Sequence, residues 1–355
     1  MIYVNARFLT QELTGVQRFA EQISLELKKL RDDIVFLAPH NILRDDVASR
    51  LDVVKIGERS GHYWEQIELP RFLKKNKNEL LINLGNTGPA FYNNQVVTHH
   101  DVTYKKYPES YSRKFRLIYN LLIPIMLRHS RSLITVSEFS MREISDVYHY
   151  DYNKINVIYN SASDVFSKKV ECKNEQDKYF LAVSSPNYHK NFHGLISAFS
   201  SAPGLEGFKL KIIGGKSKNF NTMELGIDSG NGAGNIEFLG RVSDSELSDL
   251  YSNAYAFVFP SFYEGFGIPP LEAQACGCPV LSSNAASMPE VLADSALFFD
   301  PNKNSDIASA MTYIAANPVV RETLILRGFN NIKRFSWKES ASNLNNLINK
   351  LNVTV

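Results

Sequence analysis

The chain has only three cysteines in 355 residues, Cys172, Cys276 and Cys278. The last two sit too close on one helix end to bridge easily. A disulfide framework is excluded, no zinc-type Cys/His spacing occurs, and a reducing cytoplasmic compartment is expected. Long apolar runs are also missing. The longest, Leu117 to Leu127, is interrupted by Asn120 and Pro124, and it falls short of the roughly 20 residues that span a bilayer. Charge of one sign is missing too. A net charge of +2 does not describe a protein built to neutralise nucleic-acid phosphates, so no nucleic-acid partner is expected. The start, Met1-Ile2-Tyr3-Val4-Asn5, lacks a basic stretch ahead of an apolar core, so no leader peptide is expected. Finally, Phe8 to Gly15 contains no Gly-x-Gly-x-x-Gly after the first strand, which argues against a dinucleotide dehydrogenase.

What is present is core material: 44% apolar and 12% aromatic residues, in a chain long enough for two domains. Strand-like and helix-like segments alternate throughout, the pattern of α/β layering around parallel sheets. In the first half the strands are predicted at Ile2–Phe8, Ile34–Ala38, Val53–Ile56, Leu80–Leu84, Gln95–Thr98, Leu133–Val136 and Ile155–Ile158. Helices are predicted at Val16–Leu30, where Phe19, Ile23, Leu27 and Leu30 share a face, near Trp64–Lys74, and at Tyr111–Arg128 and Glu138–Tyr148. Ser161 to Asp177 is polar and aperiodic and reads as a linker. The expected domains are 1–165 together with a final helix in 336–355, and 175–335. The second half continues with strands at Tyr179–Val183, Leu210–Ile213, Ile236–Leu239, Tyr255–Phe259, Val280–Ser282 and Ala296–Phe299. Gly226 to Asn235, with four glycines, reads as a mobile loop. The final segment, Ser336–Leu351, presents Trp337, Leu344, Leu347 and Leu351 on one helical face.

One stretch concentrates chemistry: Ser261-Phe262-Tyr263-Glu264-Gly265-Phe266-Gly267-Ile268-Pro269-Pro270-Leu271-Glu272. It follows a buried-strand pattern, turns through glycines and enters a helix on two prolines, whose missing N–H groups are not needed in a first helical turn. A strand, a glycine turn and a helix N-terminus make a site for phosphate or sugar hydroxyls. A plain βα connection would explain the glycines alone. Two glutamates bracketing the turn, eight positions apart, make that reading insufficient.

This stretch resembles the E-x7-E signature of retaining glycosyltransferases of family 4, which have the GT-B fold. The run Cys276-Gly277-Cys278-Pro279-Val280-Leu281-Ser282 and then Met288-Pro289-Glu290-Val291 continues the resemblance. It implies an α/β chain of two Rossmann-like domains facing across a cleft, with the C-terminal helix returning to the first domain. It also implies that Glu264 contacts the transferred sugar and Glu272 the ribose of the nucleotide, with Gly265, Phe266, Gly267 and Ile268 beside the donor. Lys190, in Tyr188-His189-Lys190-Asn191, matches the family's diphosphate-binding lysine. The arginine usual five positions earlier is Ser185 here, a departure from the family's two-cation clamp. Arg241, after another strand, could supply a nearby charge or cap a sheet end.

In the first half, Thr98-His99-His100-Asp101 ends a strand, where open α/β sheets face their ligands. It is similar to the family's His-Asp step. His100 is the matching histidine, His99 the fallback and Asp101 a candidate for the acceptor; a His-x-Asp metal site is the minor alternative. Gly15 matches loosely the glycine loop that faces donor phosphates, and Arg18 an acceptor contact, against the plainer reading of a helix start with a surface arginine. Glu138 resembles a family step as well, although Ser137 beside it also reads as a helix cap. No Asp-x-Asp occurs, the pattern by which metal-dependent transferases of the other fold hold a nucleotide's metal, so a site with no metal and no cofactor is expected.

The implied function is hexosyl transfer from a nucleotide sugar to a hydroxyl of a glycan or lipid-linked glycan. The N-terminal run Asn5 to Thr10 and Thr14 to Arg18 resembles transferases of bacterial surface-polysaccharide assembly, and GDP-mannose is the first donor to test. The basic-ended segment Arg113–Arg131 fits either a partly buried domain helix or a peripheral contact with the inner membrane. Two rivals stay open, a GT-B epimerase of the UDP-GlcNAc 2-epimerase kind and a non-catalytic nucleotide-binding module. Incubation without acceptor separates the epimerase.

Overall fold

The computed structural model describes residues 1–168, 177–183, 185, 187–214 and 235–353. The expected loop at 226–234 and Cys172 lie outside them, as do Ser184 and Pro186. The chain divides into two compact units, Met1–Asn160 with Ser336–Val355, and Ser161–Phe335.

The first unit holds a seven-stranded parallel sheet. Its strands are β1 (Ile2–Asn5), β2 (Ile34–Ala38), β3 (Val54–Lys55), β4 (Leu80–Asn83), β5 (Gln95–Thr98), β6 (Ser132–Thr135) and β7 (Ile155–Val157), in the spatial order β3-β2-β1-β4-β5-β6-β7. The chain winds outward from β1 in one direction and then from β4 in the other. The order therefore reverses between β1 and β4, paired through Ile2↔Leu80 and Asn5↔Asn83. Apolar runs such as Leu80-Leu81-Ile82 are fully buried because helices cover both faces of a parallel sheet.

The second unit repeats the plan with β8 (Tyr179–Val183), β9 (Lys209–Ile213), β10 (Ile236–Gly240), β11 (Ala256–Phe259), β12 (Val280–Ser283) and β13 (Ala296–Phe299), in the order β10-β9-β8-β11-β12-β13. Here the reversal falls between β8 and β11, through Ala256↔Phe180. Phe180, Phe208 and Tyr255 pack ring to ring on one face, with centroids 5.2 and 5.0 Å apart.

Several boundaries differ from the sequence expectation for local reasons. The first strand stops at Asn5, not Phe8, because the Asn5 side chain accepts the Arg7 N–H at 3.2 Å and starts a turn of 3₁₀ helix over Arg7–Thr10. Leu30 is 44% exposed, off the buried face of Phe19, Ile23 and Leu27. The helix predicted from Tyr111 begins at Arg113, where Ser112 Oγ accepts the Phe115 N–H at 3.2 Å. The segment near Trp64 is helical from Gly61 to Lys75 but passes through a π-helical turn, Trp64–Glu68. Within the segment read as a linker, Phe166 is buried against Tyr251 of the second unit.

The last helix, Trp337–Val353, belongs to the first unit. Its Trp337 ring meets Phe19 at 6.3 Å, and the Leu351 carbonyl accepts from Arg131 Nη2 at 2.7 Å.

Candidate active site

In open α/β sheets, ligands bind beyond the carboxyl ends of the strands where the order reverses. Both units place interacting polar side chains there.

In the second unit, β8 runs into a turn of 3₁₀ helix at Tyr188–Lys190, and β11 runs into Ser261–Gly267. The turn brings Lys190 onto Glu264, with Nζ at 2.6 and 2.8 Å from the two carboxylate oxygens. Neither side chain is sealed off: 16% of Lys190 and 12% of Glu264 remain exposed. The Phe262 N–H donates to the His189 carbonyl at 2.8 Å and ties the two loops together. Asn191 completes the knot. It adopts a left-handed conformation (φ +57°), and its Nδ2 donates to the carbonyls of Pro260 at 3.2 Å and Pro301 at 2.9 Å. Asn191 drew no attention in the sequence. Its signal was an Asn just ahead of an apolar helix, a residue type that tolerates this conformation.

Glycine is required at 267. Its φ is +90°, and a Cβ there would meet Met288 Cε at 2.5 Å. The helix that follows, Ile268–Ala275, carries Pro269 and Pro270 in its first turn. Those two residues offer no N–H, so the donors that this helix start could offer an anion are the amides of the Gly265–Ile268 turn. Phe266 is buried against Phe335, with centroids 5.5 Å apart, so its ring serves packing. Glu272 lies one helical turn in and is 4% exposed. Arg241 follows β10, the edge strand, and is separated from β8 by β9. Ser185 is exposed and accepts from Asn187 Nδ2 at 3.1 Å.

In the first unit, His99 and His100 follow β5. His100 is 6% exposed: its backbone N–H donates to Asn86 Oδ1 at 3.0 Å, and its Nε2 lies 3.3 Å from the Leu84 carbonyl. Burial pushes its pKa from 6.5 down to about 4, so the ring is neutral at pH 7. His99 faces inward, with Nε2 3.3 Å from the Tyr104 hydroxyl. Burial lowers its pKa as well. Asp101 does not serve the His100 ring; its Oδ1 accepts the Thr103 N–H at 2.8 Å and starts a short helix. Gly15 is the exposed first residue of the helix Gly15–Leu30, and Arg18 is partly buried one turn further on. Glu138 opens the helix Glu138–Tyr148, and Ser137 is indeed its cap, accepting the Ser140 N–H at 2.9 Å.

Sequence reasoning missed the polar cluster at the β1/β4 reversal. Glu65 is 1% exposed. Its carboxylate accepts from Asn5 Nδ2 at 2.9 Å, Arg7 Nε at 3.0 Å and the Thr87 hydroxyl at 2.8 Å, with His62 Nδ1 at 3.5 Å. Burial alone would raise its pKa. Arg7 and these hydrogen bonds outweigh burial and hold it at about 2. The sequence carried little signal, because Glu65 sits in a helical stretch with several other polar residues, His62, Gln66, Glu68 and Arg71. Among the described residues, no group of three or more His, Cys, Asp or Glu side chains could hold a metal ion.

Two parallel-sheet units, each with its polar side chains at the strand-order reversal, define the nucleotide-binding double Rossmann class. Comparison with known proteins makes this specific. Residues 13–163 match the model described as Glycosyltransferase Family 4, and residues 164–330 match that of Glycosyl transferases group 1. The O-antigen chain mannosyltransferase RfbU of Salmonella typhimurium is 33% identical over 258 residues, 72% of this chain and 70% of that protein. The O-antigen chain mannosyltransferase B of Escherichia coli is 33% identical over 268 residues, 71% and 70% of the two chains. In fold, the chain is similar to HepE of Anabaena, solved with UDP, at a TM-score of 0.78 and 14% identity over 98% of this chain and 99% of that one. The chain belongs to glycosyltransferase family 4, with the GT-B architecture, and is a glycosyltransferase.

Proposed function

We propose that this glycosyltransferase moves a mannosyl group from GDP-mannose, with retained anomeric configuration, to a hydroxyl of a glycan or lipid-linked glycan in O-antigen assembly. The relatives named above support the sugar and the pathway. The observation that carries the chemistry is the Lys190–Glu264 pair at the β8/β11 reversal. A cation for the diphosphate and a carboxylate for sugar hydroxyls are held together where the fold binds ligands. Lys190, Arg241 and the amides of Gly265–Ile268 would neutralise the departing diphosphate without a metal, and Glu272 would hold the ribose. Glu264 would orient the sugar, and His100 is the proposed catalytic histidine. Gly15, Arg18 and Asp101 are proposed contacts for phosphate and acceptor. Such a site works by positioning and electrostatic stabilisation.

The test is a thermal-shift and transfer screen across GDP-, UDP- and dTDP-sugars, with and without EDTA. Stabilisation and transfer with GDP-mannose, unchanged by EDTA and giving an α-mannoside, is expected. Preference for a UDP- or dTDP-sugar, or an inverted product, would overturn the reading.

Peripheral attachment to the inner membrane is part of the proposal. On the helix Arg113–Arg128, Leu117 and Leu121 are 72% and 68% exposed, on the same face as exposed Arg113 and Lys114. An apolar ridge with basic neighbours suits an anionic surface. Among the described residues no helix is long and apolar enough to cross a membrane. Leu117→Asp with Leu121→Asp should abolish sedimentation with anionic vesicles; unchanged sedimentation would sink this part.

A further inference from the structure

We propose that Arg7, Glu65, Gln66 and Thr87 are positioning residues for His100, acting through the loop of residues 84–90. The inference rests on the assignment of His100 as the catalytic histidine.

Among the described residues no carboxylate is hydrogen-bonded to the His100 ring; Asp101 Oδ1 accepts the Thr103 N–H instead. Two groups of a single loop fix the histidine instead: the Leu84 carbonyl, 3.3 Å from Nε2, and Asn86 Oδ1, 3.0 Å from its backbone nitrogen. A carbonyl only accepts. Nε2 therefore carries the proton of the neutral ring, and Nδ1 offers a lone pair to a hydroxyl. Phe19 meets the ring edge to face at 5.0 Å and limits its rotation.

The loop is pinned in turn, residue by residue. The Thr87 hydroxyl donates to Glu65 Oε2 at 2.8 Å and accepts from Arg7 Nη2 at 2.7 Å. Gln66 donates to the Gly88 carbonyl at 2.9 Å and accepts the Ala90 N–H at 2.8 Å. Gln95 donates to the Pro89 carbonyl at 2.7 Å. Gly88 has no room for a side chain, because a Cβ would lie 2.6 Å from Asn83 Cγ. Glu65 and Gln66 are adjacent in sequence yet both serve this loop, from a π-helical turn, a distortion that frequently occurs at functional sites. A buried ion pair adds little net stability against apolar packing. Its use here is to fix the loop that sets the ring tautomer, as outer hydrogen-bond partners do for other working histidines.

The experiment uses protein labelled with ¹⁵N-histidine, the His100 signals being identified by their loss in His100→Gln. Imidazole ¹⁵N shifts, kcat and donor KM are measured for Thr87→Val, which keeps the shape and loses both hydrogen bonds, for Thr87→Ser, and for Glu65→Gln. Wild type and Thr87→Ser should show the Nε2-protonated tautomer. Thr87→Val and Glu65→Gln should show mixed tautomers and a kcat lowered about 10-fold, with donor KM within about twofold. If Glu65→Gln does not fold, Thr87→Val carries the test. Unchanged imidazole signals in Thr87→Val, with only a lower Tm, would overturn the proposal. A changed tautomer with unchanged kcat would support the positioning and count against His100 as the catalytic histidine.

Discussion

The two strand-order reversals occupy equivalent places in the two units and are built in opposite ways. At β8/β11 a single ion pair, Lys190–Glu264, is partly open to solvent, and each partner has mainly the other. At β1/β4 the carboxylate of Glu65 is sealed and saturated by Asn5, Arg7 and Thr87, and Asn5 and Asn83 extend the network to Gln95. A two-membered pair that still meets solvent, with 16% and 12% of its side chains exposed, can exchange partners at lower cost than a closed network, which suits groups that must take up a diphosphate and a sugar. A closed network loses a full desolvation penalty when any member leaves, so it suits a frame. One unit thus keeps its charges available, and the other spends them on geometry.

Mutations should break this contrast in a defined order. The largest expected effect is on folding at the closed network. Arg7→Met leaves Glu65 buried without its counter-charge and should cost about 3–5 kcal/mol, whereas Lys190→Met, which leaves Glu264 12% exposed to water, should cost less, about 1–3 kcal/mol. Urea unfolding of both variants checks this, and similar losses would erase the distinction. Next comes turnover at the open pair. Glu264→Ala should lower kcat by roughly 10²–10³-fold while circular dichroism and Tm stay near wild type; near-normal transfer would remove Glu264 from the site.

Gly267→Ala tests the turn that carries the open pair. Forcing a Cβ at φ +90° against Met288 should cost about 1–3 kcal/mol and weaken donor binding, read by calorimetry.

The remaining contrast is a pH dependence that belongs to the first unit. His99 and His100 have folded pKa values lowered from 6.5 to about 4, so the unfolded chain binds more protons between those values. Stability should therefore fall as pH drops from about 6.5 toward 4. Glu65 adds a second limb: its stabilisation is complete above 4.5 and is lost as pH falls toward 2. Urea midpoints from pH 8 to 4 should decline along the first limb, and less steeply in His100→Gln. A flat profile would mean that the histidines are solvated.

How much of this was legible before folding follows from the physics of each feature. The strands were readable because parallel strands covered on both faces are continuous apolar runs, such as Leu80-Leu81-Ile82 and Phe257-Val258-Phe259. The turn at Gly267 was readable because a left-handed backbone leaves few residue choices. The end of the first strand was not readable. Phe8 and Leu9 are as apolar as strand residues, and only the Asn5 side chain and the anchoring of Arg7 bend the chain there. The local partner of Asp101 was not readable for a related reason: its Oδ1 accepts the Thr103 N–H at the start of a short helix two residues on, and nothing in a His-Asp dipeptide reports that contact.

By itself, then, the sequence determined the alternation of elements, the division into two units and the residues Glu264, Glu272, Lys190 and His100 as points of interest. All of these depend on local pattern, on periodicity, or on residue types within one loop. Only the tertiary structure decided that Lys190 reaches Glu264 across 74 positions, and that Arg7, Glu65 and Thr87 converge from separate segments. It also decided that His100 takes its orientation from residues 84–90. Those relations are set by which strands lie side by side at each reversal, and strand order is a property of the packed sheet that no single segment encodes.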